Sequence, residues 1–128
     1  MYDSGTKVFG TFRAPAGYLA DVGKVAELVK GLADAIDMRV LGTHVYDVPV
    51  CVRRLGEEPL CDEGGVTAVA VVSTSHIAVH TWPEEGAARI DVDSCREFDP
   101  EKVELMLKVH MCATDMRLSA ASLVLRGE

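Results

Sequence analysis

Residues 73–84 read Ser-Thr-Ser-His-Ile-Ala-Val-His-Thr-Trp-Pro-Glu. One short run thus gathers His76, His80, the only tryptophan (Trp82) and the serines Ser73 and Ser75. Asp91, Asp93 and Cys95 follow on what should be the next strand. Hydroxyl, imidazole, carboxylate and thiol groups act as nucleophiles and as general acids or bases. Inside an otherwise apolar region they need a reason, because burial without partners is unfavourable. Chemistry is the leading reason. A metal shared by His76, His80 and Cys95 does not fit. On a strand, histidines four residues apart are roughly 13 Å apart at ~3.3 Å per residue, whereas metal ligands sit within about 2–2.3 Å of the ion. A nucleophilic Cys95 with His80 as its base fits the residue types but lacks an evident orienting partner. His44 and His110 read as hydrogen-bonded core histidines.

The elements that must hold these groups follow from periodicity. Residues 7–12 form a first strand, ended by Pro15 and Gly17. From Asp21 onward Val22, Val25, Ala26, Val29, Leu32, Ala33 and Ile36 recur at helical spacing, weakened by Gly23 and Gly31. Residues 39–46 form a second strand. Residues 47–65, with Pro49, Pro59, three glycines and five acidic residues, read as a long loop with a possible small strand at 50–52. Residues 66–73 are apolar on both parities. A tight turn at 73–75 leads to a strand over 77–82, a second turn at 83–86 and a third strand over 87–93. His76, Ala78, His80 and Trp82 share one face. Ser75 has the other parity but falls in the turn. Asp99-Pro100-Glu101 starts a helix by cap, ring and dipole. Val103, Met106, Leu107, His110 and Thr114 mark its face, and Cys112 reads as buried filler. Residues 117–125 form the last strand.

The order β-α-β-β-β-α-β predicts a single α+β domain over residues 1–128, with two helices on one face of a sheet. The two-sided apolar strand 66–73 requires cover on its second face, and a homodimer meeting sheet to sheet, an αββα sandwich, would supply it. Hydrophobic content of 48% and charged content of 26% are those of a globular protein. No apolar run approaches the ~18 residues that span a bilayer. Met1 to Gly5 carry no export pattern, so a cytoplasmic location without disulfides is expected. The net charge of -7 argues against nucleic acid and suits a cationic ligand.

The run resembles the signature of the bacterial and archaeal S-adenosylmethionine decarboxylases, S-E-S-H-[IL]-x-[IV]-H-T-W-P-E followed by a strand ending in Cys. Here Ser73 to Glu84 carry it, with Ile90-Asp91-Val92-Asp93-Ser94-Cys95 at the family's distance. The preceding Gly65-Val66-Thr67-Ala68-Val69 is similar to the family's G-V-[ST]-G/A-V strand. The resemblance implies self-cleavage between Thr74 and Ser75. Ser75 would attack the Thr74 carbonyl, and the resulting ester would eliminate to leave a pyruvoyl group derived from Ser75. The family's processing base matches His80, and a helping hydroxyl matches Thr67. The pyruvoyl ketone would hold substrate as a Schiff base, and the proton donor after CO₂ loss matches Cys95. The implied activity is decarboxylation of S-adenosylmethionine for spermidine synthesis.

Three positions depart from the pattern. Thr74 stands where the family has Glu, residues 47–65 lack the aromatic that stacks on adenine, and Gly5-Thr6-Lys7 replaces G-R-H. Tyr46 is the nearest aromatic to that loop. Two alternatives stay open: the same chemistry on arginine or ornithine, and an uncut, non-catalytic chain that regulates a partner.

Overall fold

A computed structural model describes residues 4–48, 51–52, 60–61 and 64–124. In chain order the elements are β1 (Ser4–Arg13), α1 (Ala16–Leu19), α2 (Val22–Ala35), β2 (Val40–Val48), β3 (Cys51–Val52), β4 (Leu60–Cys61), β5 (Gly65–Val72), β6 (Ser75–Trp82), β7 (Ala87–Ser94), α3 (Glu101–Met111) and β8 (Thr114–Val124). Six strands form one antiparallel sheet in the order β2-β5-β6-β7-β1-β8. This is the expected α+β order with two additions. One is α1, a single turn that Pro15 permits by accepting from the Tyr18 and Leu19 amides. The other is the two-residue β3–β4 pair inside the segment read as a loop. Its Cys51–Val52 strand covers part of the small strand read at 50–52, and Val50 lies outside the described residues, as does most of 49–63.

Alternation along the strands sorts side chains onto two faces. Val66, Ala68, Ala70 and Val72 of β5, Ile77 and Val79 of β6, and Ala88, Ile90 and Val92 of β7 are buried on one face. There they meet the stripe Val25, Leu28, Val29, Leu32 and Ala33 of α2 and Val103, Leu107 and Met111 of α3. Fully burying each of the valine, leucine, isoleucine and methionine side chains among them is worth about 1.5–3 kcal/mol. Asp21, where the helical spacing begins, caps α2, its Oδ1 accepting from the Lys24 amide at 3.1 Å. Asp99, read as the cap of α3, stands one residue earlier than the capping Pro100, and its Oδ1 accepts from the Glu101 amide at 3.0 Å. Gly31 lets the helices approach closely, since a Cβ there would lie 2.7 Å from His110 Nε2.

Four expectations fail. His44 is exposed and His110 half-buried, so neither is a core histidine. Thr114 belongs to β8, because α3 ends in a left-handed residue. That residue is Cys112 (φ 52°), exposed rather than buried; its amide and that of Ala113 return to the carbonyls of Lys108 and Leu107. The Tyr18 pKa is raised, first by a hydrogen bond to Cys112, then by electrostatic interaction with Cys112 and by desolvation. Among the described residues the second face of the sheet carries no helix, and on it Phe9 is 42% and Val71 40% exposed within the chain. Among the described residues no helix is long and apolar enough to cross a membrane.

Candidate active site

Strand register decides where each reactive group stands. Val72 pairs with Ser75, which leaves only Ser73 and Thr74 in the β5–β6 turn. Ser75 is therefore the first residue of β6 rather than a turn residue, half-buried on the parity of Ile77 and Val79. His76 pairs with Asp93, so two residues beyond the end of the ladder Thr74 comes opposite Cys95. Thr74 Oγ1 and Cys95 Sγ are 2.5 Å apart, and either can donate. Cys95 lies in a bend just past the end of β7. The Ser73 amide donates to the Arg39 carbonyl at 3.0 Å and holds the turn from the other side.

A second pair stands farther along the same sheet. Thr67 pairs with His80, and Thr67 Oγ1 is 2.5 Å from His80 Nδ1. Trp82 meets the His80 ring edge-on, with centroids 4.4 Å apart at 73°. A depression of about 620 Å³ opens on the bare face here, lined by Lys7, Phe9, Thr67, His80, Arg89 and Asp91 among others. Tyr46 pairs with Thr67 on β2 and shares this face.

Between the two pairs lies a charged stripe. His76 Nε2 is 3.5 Å from Asp91 Oδ2, His76 Nδ1 is 4.0 Å from Asp93 Oδ2, and Lys7 Nζ is 3.4 Å from Asp91 Oδ1. That Lys7 contact answers the Asp91 oxygen, which otherwise has no hydrogen bond. Lys7, His76 and Asp91 are about a third exposed or more, so the Lys7–Asp91 and His76–Asp91 pairs are each worth at most about 1 kcal/mol. Lys7 was legible as a strand residue and as part of the departure from G-R-H; its place beside Asp91 needed the β1–β7 register, in which Lys7 pairs with Asp93 and Phe9 with Asp91.

The sequence candidates thus fall into two groups. Thr74, Ser75 and Cys95 cluster at one rim of β6, whereas Thr67 and His80 meet near its other end. Five residues separate Ser75 from His80, roughly 16 Å at ~3.3 Å per residue. A Cys95–His80 pair within one chain is thereby excluded. No group of three His, Cys, Asp or Glu residues among the described residues could hold a metal ion.

An antiparallel α+β sheet, packed by helices on one side and carrying imidazoles, hydroxyls and carboxylates on the other, is the class this geometry defines. The family model for S-adenosylmethionine decarboxylase matches residues 8–122, and the chain belongs to that family. It is 36% identical over 85 residues to an S-adenosylmethionine decarboxylase proenzyme of Pyrococcus furiosus, covering 66% of this chain and 52% of that one. It is 35% identical over 100 residues to the proenzyme of Sulfurisphaera tokodaii, covering 77% and 70% respectively. The chain thus spans about half the length of the Pyrococcus furiosus relative. The crystal structure of the adenosylmethionine decarboxylase from Aquifex aeolicus superposes with a TM-score of 0.73 at 20% identity, over 100% of this chain and 97% of that one. The two share their fold.

Proposed function

We propose that this chain, residues 1–128 as one domain, is the precursor of a pyruvoyl-dependent decarboxylase of S-adenosylmethionine in polyamine synthesis. Maturation would cut between Thr74 and Ser75. The observation that carries the reading is the division of the reactive groups into Thr74–Ser75–Cys95 and Thr67–His80, with each group internally in contact or adjacent.

Ser75 Oγ attacks the Thr74 carbonyl carbon, and the peptide C–N bond breaks to give an ester and a free amine. A turn that holds hydroxyl and carbonyl together raises their effective concentration. A base takes the Ser75 α-proton, the Cβ–O bond breaks, and Thr74 leaves as a carboxylate. One water then hydrolyses the remaining enamine, as its imine, to the ketone and releases ammonia. His80 is the base. With its Nδ1–H donating to Thr67 Oγ1, Nε2 keeps the lone pair that accepts a proton. Because His80 stands ~16 Å from Ser75 along its own strand, the base that serves Ser75 comes from a second copy. Two bare faces stacked about 10 Å apart in opposite directions would bring the Thr67–His80 pair of one copy to the β5–β6 turn of the other, where Thr74 meets Cys95 and Ser75 begins its strand. That homodimer would also cover Phe9 and Val71.

Cys95 fits beside the group derived from Ser75, since its neighbour across the register is Thr74. The pyruvoyl group supplies an electron sink for the carbanion left by CO₂. The Cys95 thiol returns the proton. Phe9 and Tyr46 offer aromatic surface to an adenosyl group, and Asp91 offers charge to a cation.

Mixing two inactive variants tests the division. Ser75→Ala and His80→Ala chains each stay uncut alone. Refolded together, they should yield fragments 1–74 and 75–128 from the His80→Ala chain only, read by intact mass. No cleavage in the mixture removes the shared site. A wild-type chain that stays uncut favours a non-catalytic regulator. Labelled CO₂ release from arginine or ornithine, and not from S-adenosylmethionine, changes the substrate.

A further inference from the structure

The corner between α2 and β2 grips both partners of the Thr74–Cys95 contact. Asp37 sits there in a left-handed conformation, φ 58°. Its carbonyl accepts from Arg96 Nη2 at 2.6 Å, and Arg96 Nη2 also reaches Met38 Sδ at 3.5 Å. The Arg96 amide donates to Ser94 Oγ at 3.1 Å, and Ser94 Oγ donates to Met38 Sδ at 3.4 Å. Ser94 and Met38 are 1% and 4% exposed, so this anchor is built into the core. The residues on either side of Cys95 are therefore tied to residues 37–38. The Arg39 carbonyl holds the Ser73 amide, so the residue before Thr74 is tied to the same corner.

We propose that Thr74 and Arg96 form a latch on Cys95: Arg96 positions the cysteine against the turn, and the Thr74 hydroxyl engages its sulfur until the Thr74–Ser75 bond breaks. In the uncut chain Thr74 is fixed on both sides, by the Ser73 anchor and by β6. Cutting frees its C-terminal side, and the hydroxyl leaves the sulfur. The thiol then becomes available at the stage when a proton donor is needed. The timing half of the latch rests on the proposed self-cleavage; the contact half does not. The residue type matters, because the hydroxyl of Thr74 is what reaches the sulfur.

Site-resolved alkylation tests both halves. Iodoacetamide modification of Cys95 is followed by peptide mass, with exposed Cys112 in the same chain as the internal reference. In the uncuttable Ser75→Ala chain, adding Thr74→Val should speed Cys95 modification about two- to tenfold, the range a hydrogen bond of ordinary net strength supports. Arg96→Met should do the same. If that variant unfolds, Arg96→Lys, which keeps charge but not the paired reach to Asp37 and Met38, replaces it. Cleavage of the wild-type chain should produce a similar rise. An unchanged Cys95 rate on Thr74→Val overturns the latch, as does an equal rate in cut and uncut chains. A wild-type chain that never cuts overturns the decarboxylase reading and the timing with it, while the Thr74→Val comparison still decides the contact.

Discussion

The two faces of this sheet are built from alternate residues of the same strands, yet they answer to different demands. On β6, Ile77 and Val79 point into the helices and are 0% and 2% exposed. His76 and His80 point the other way, onto a face with an open depression of about 620 Å³. The covered face tolerates a polar group only when it is fully paired. Thr81, 0% exposed, accepts from the Val66 amide at 2.9 Å and donates to the Leu19 carbonyl at 2.7 Å. The bare face holds Lys7, His76, Asp91 and Asp93 in loose pairs of 3.4–4.0 Å. Stability is concentrated on one side, and groups able to move protons are left in reach of a ligand on the other.

Substitutions on the two sides should separate accordingly. The largest loss is expected from Ile77→Ala, about 2–5 kcal/mol in urea unfolding, because it opens a cavity under α2. A loss below 1 kcal/mol would mean that the covered face is not the core. Thr81→Val should cost about 1–3 kcal/mol, since the Val66 amide and Leu19 carbonyl lose their buried partner; thermal unfolding measures this. Thr67→Val and His80→Ala should change stability by less than about 1 kcal/mol, while on the proposed chemistry His80→Ala slows cleavage about 10²- to 10⁴-fold. A normally cut His80→Ala chain breaks the assignment of proton transfer to the bare face. The smallest effect on stability belongs to Val71→Lys, within about 0.5 kcal/mol for the single chain. Light scattering should nevertheless show that variant as a monomer if the bare faces meet in a dimer.

Much of the covered face was legible because periodicity reports burial directly. The spacing of α2, the alternation of β5 and the helix start at Asp99-Pro100-Glu101 are local patterns, and local patterns survive into the fold. The failures share a cause. Cys112 and Thr114 continued a helical pattern that a left-handed residue ends, and single-residue backbone reversals leave little trace in composition. Ser75 was set in a turn whose length is fixed only by the pairing of Val72 with Ser75. Gly31 read as a helix weakener, but its use is the His110 ring packed over it from a helix far along the chain. The division of the site was within reach. The spacing that excluded a metal shared by His76 and His80 also keeps His80 from Ser75.

By itself, the sequence determined the class of fold, the family signature and the identities of the reactive groups, since residue type and alternation are properties of neighbours in the chain. Only the tertiary structure decided which of those groups meet. Thr67 finds His80, and Thr74 finds Cys95, through strand register, which is set by long-range hydrogen bonding and by burying one parity against the helices. Register also leaves the opposite parity bare, with the two ends of the site too far apart for one strand to join.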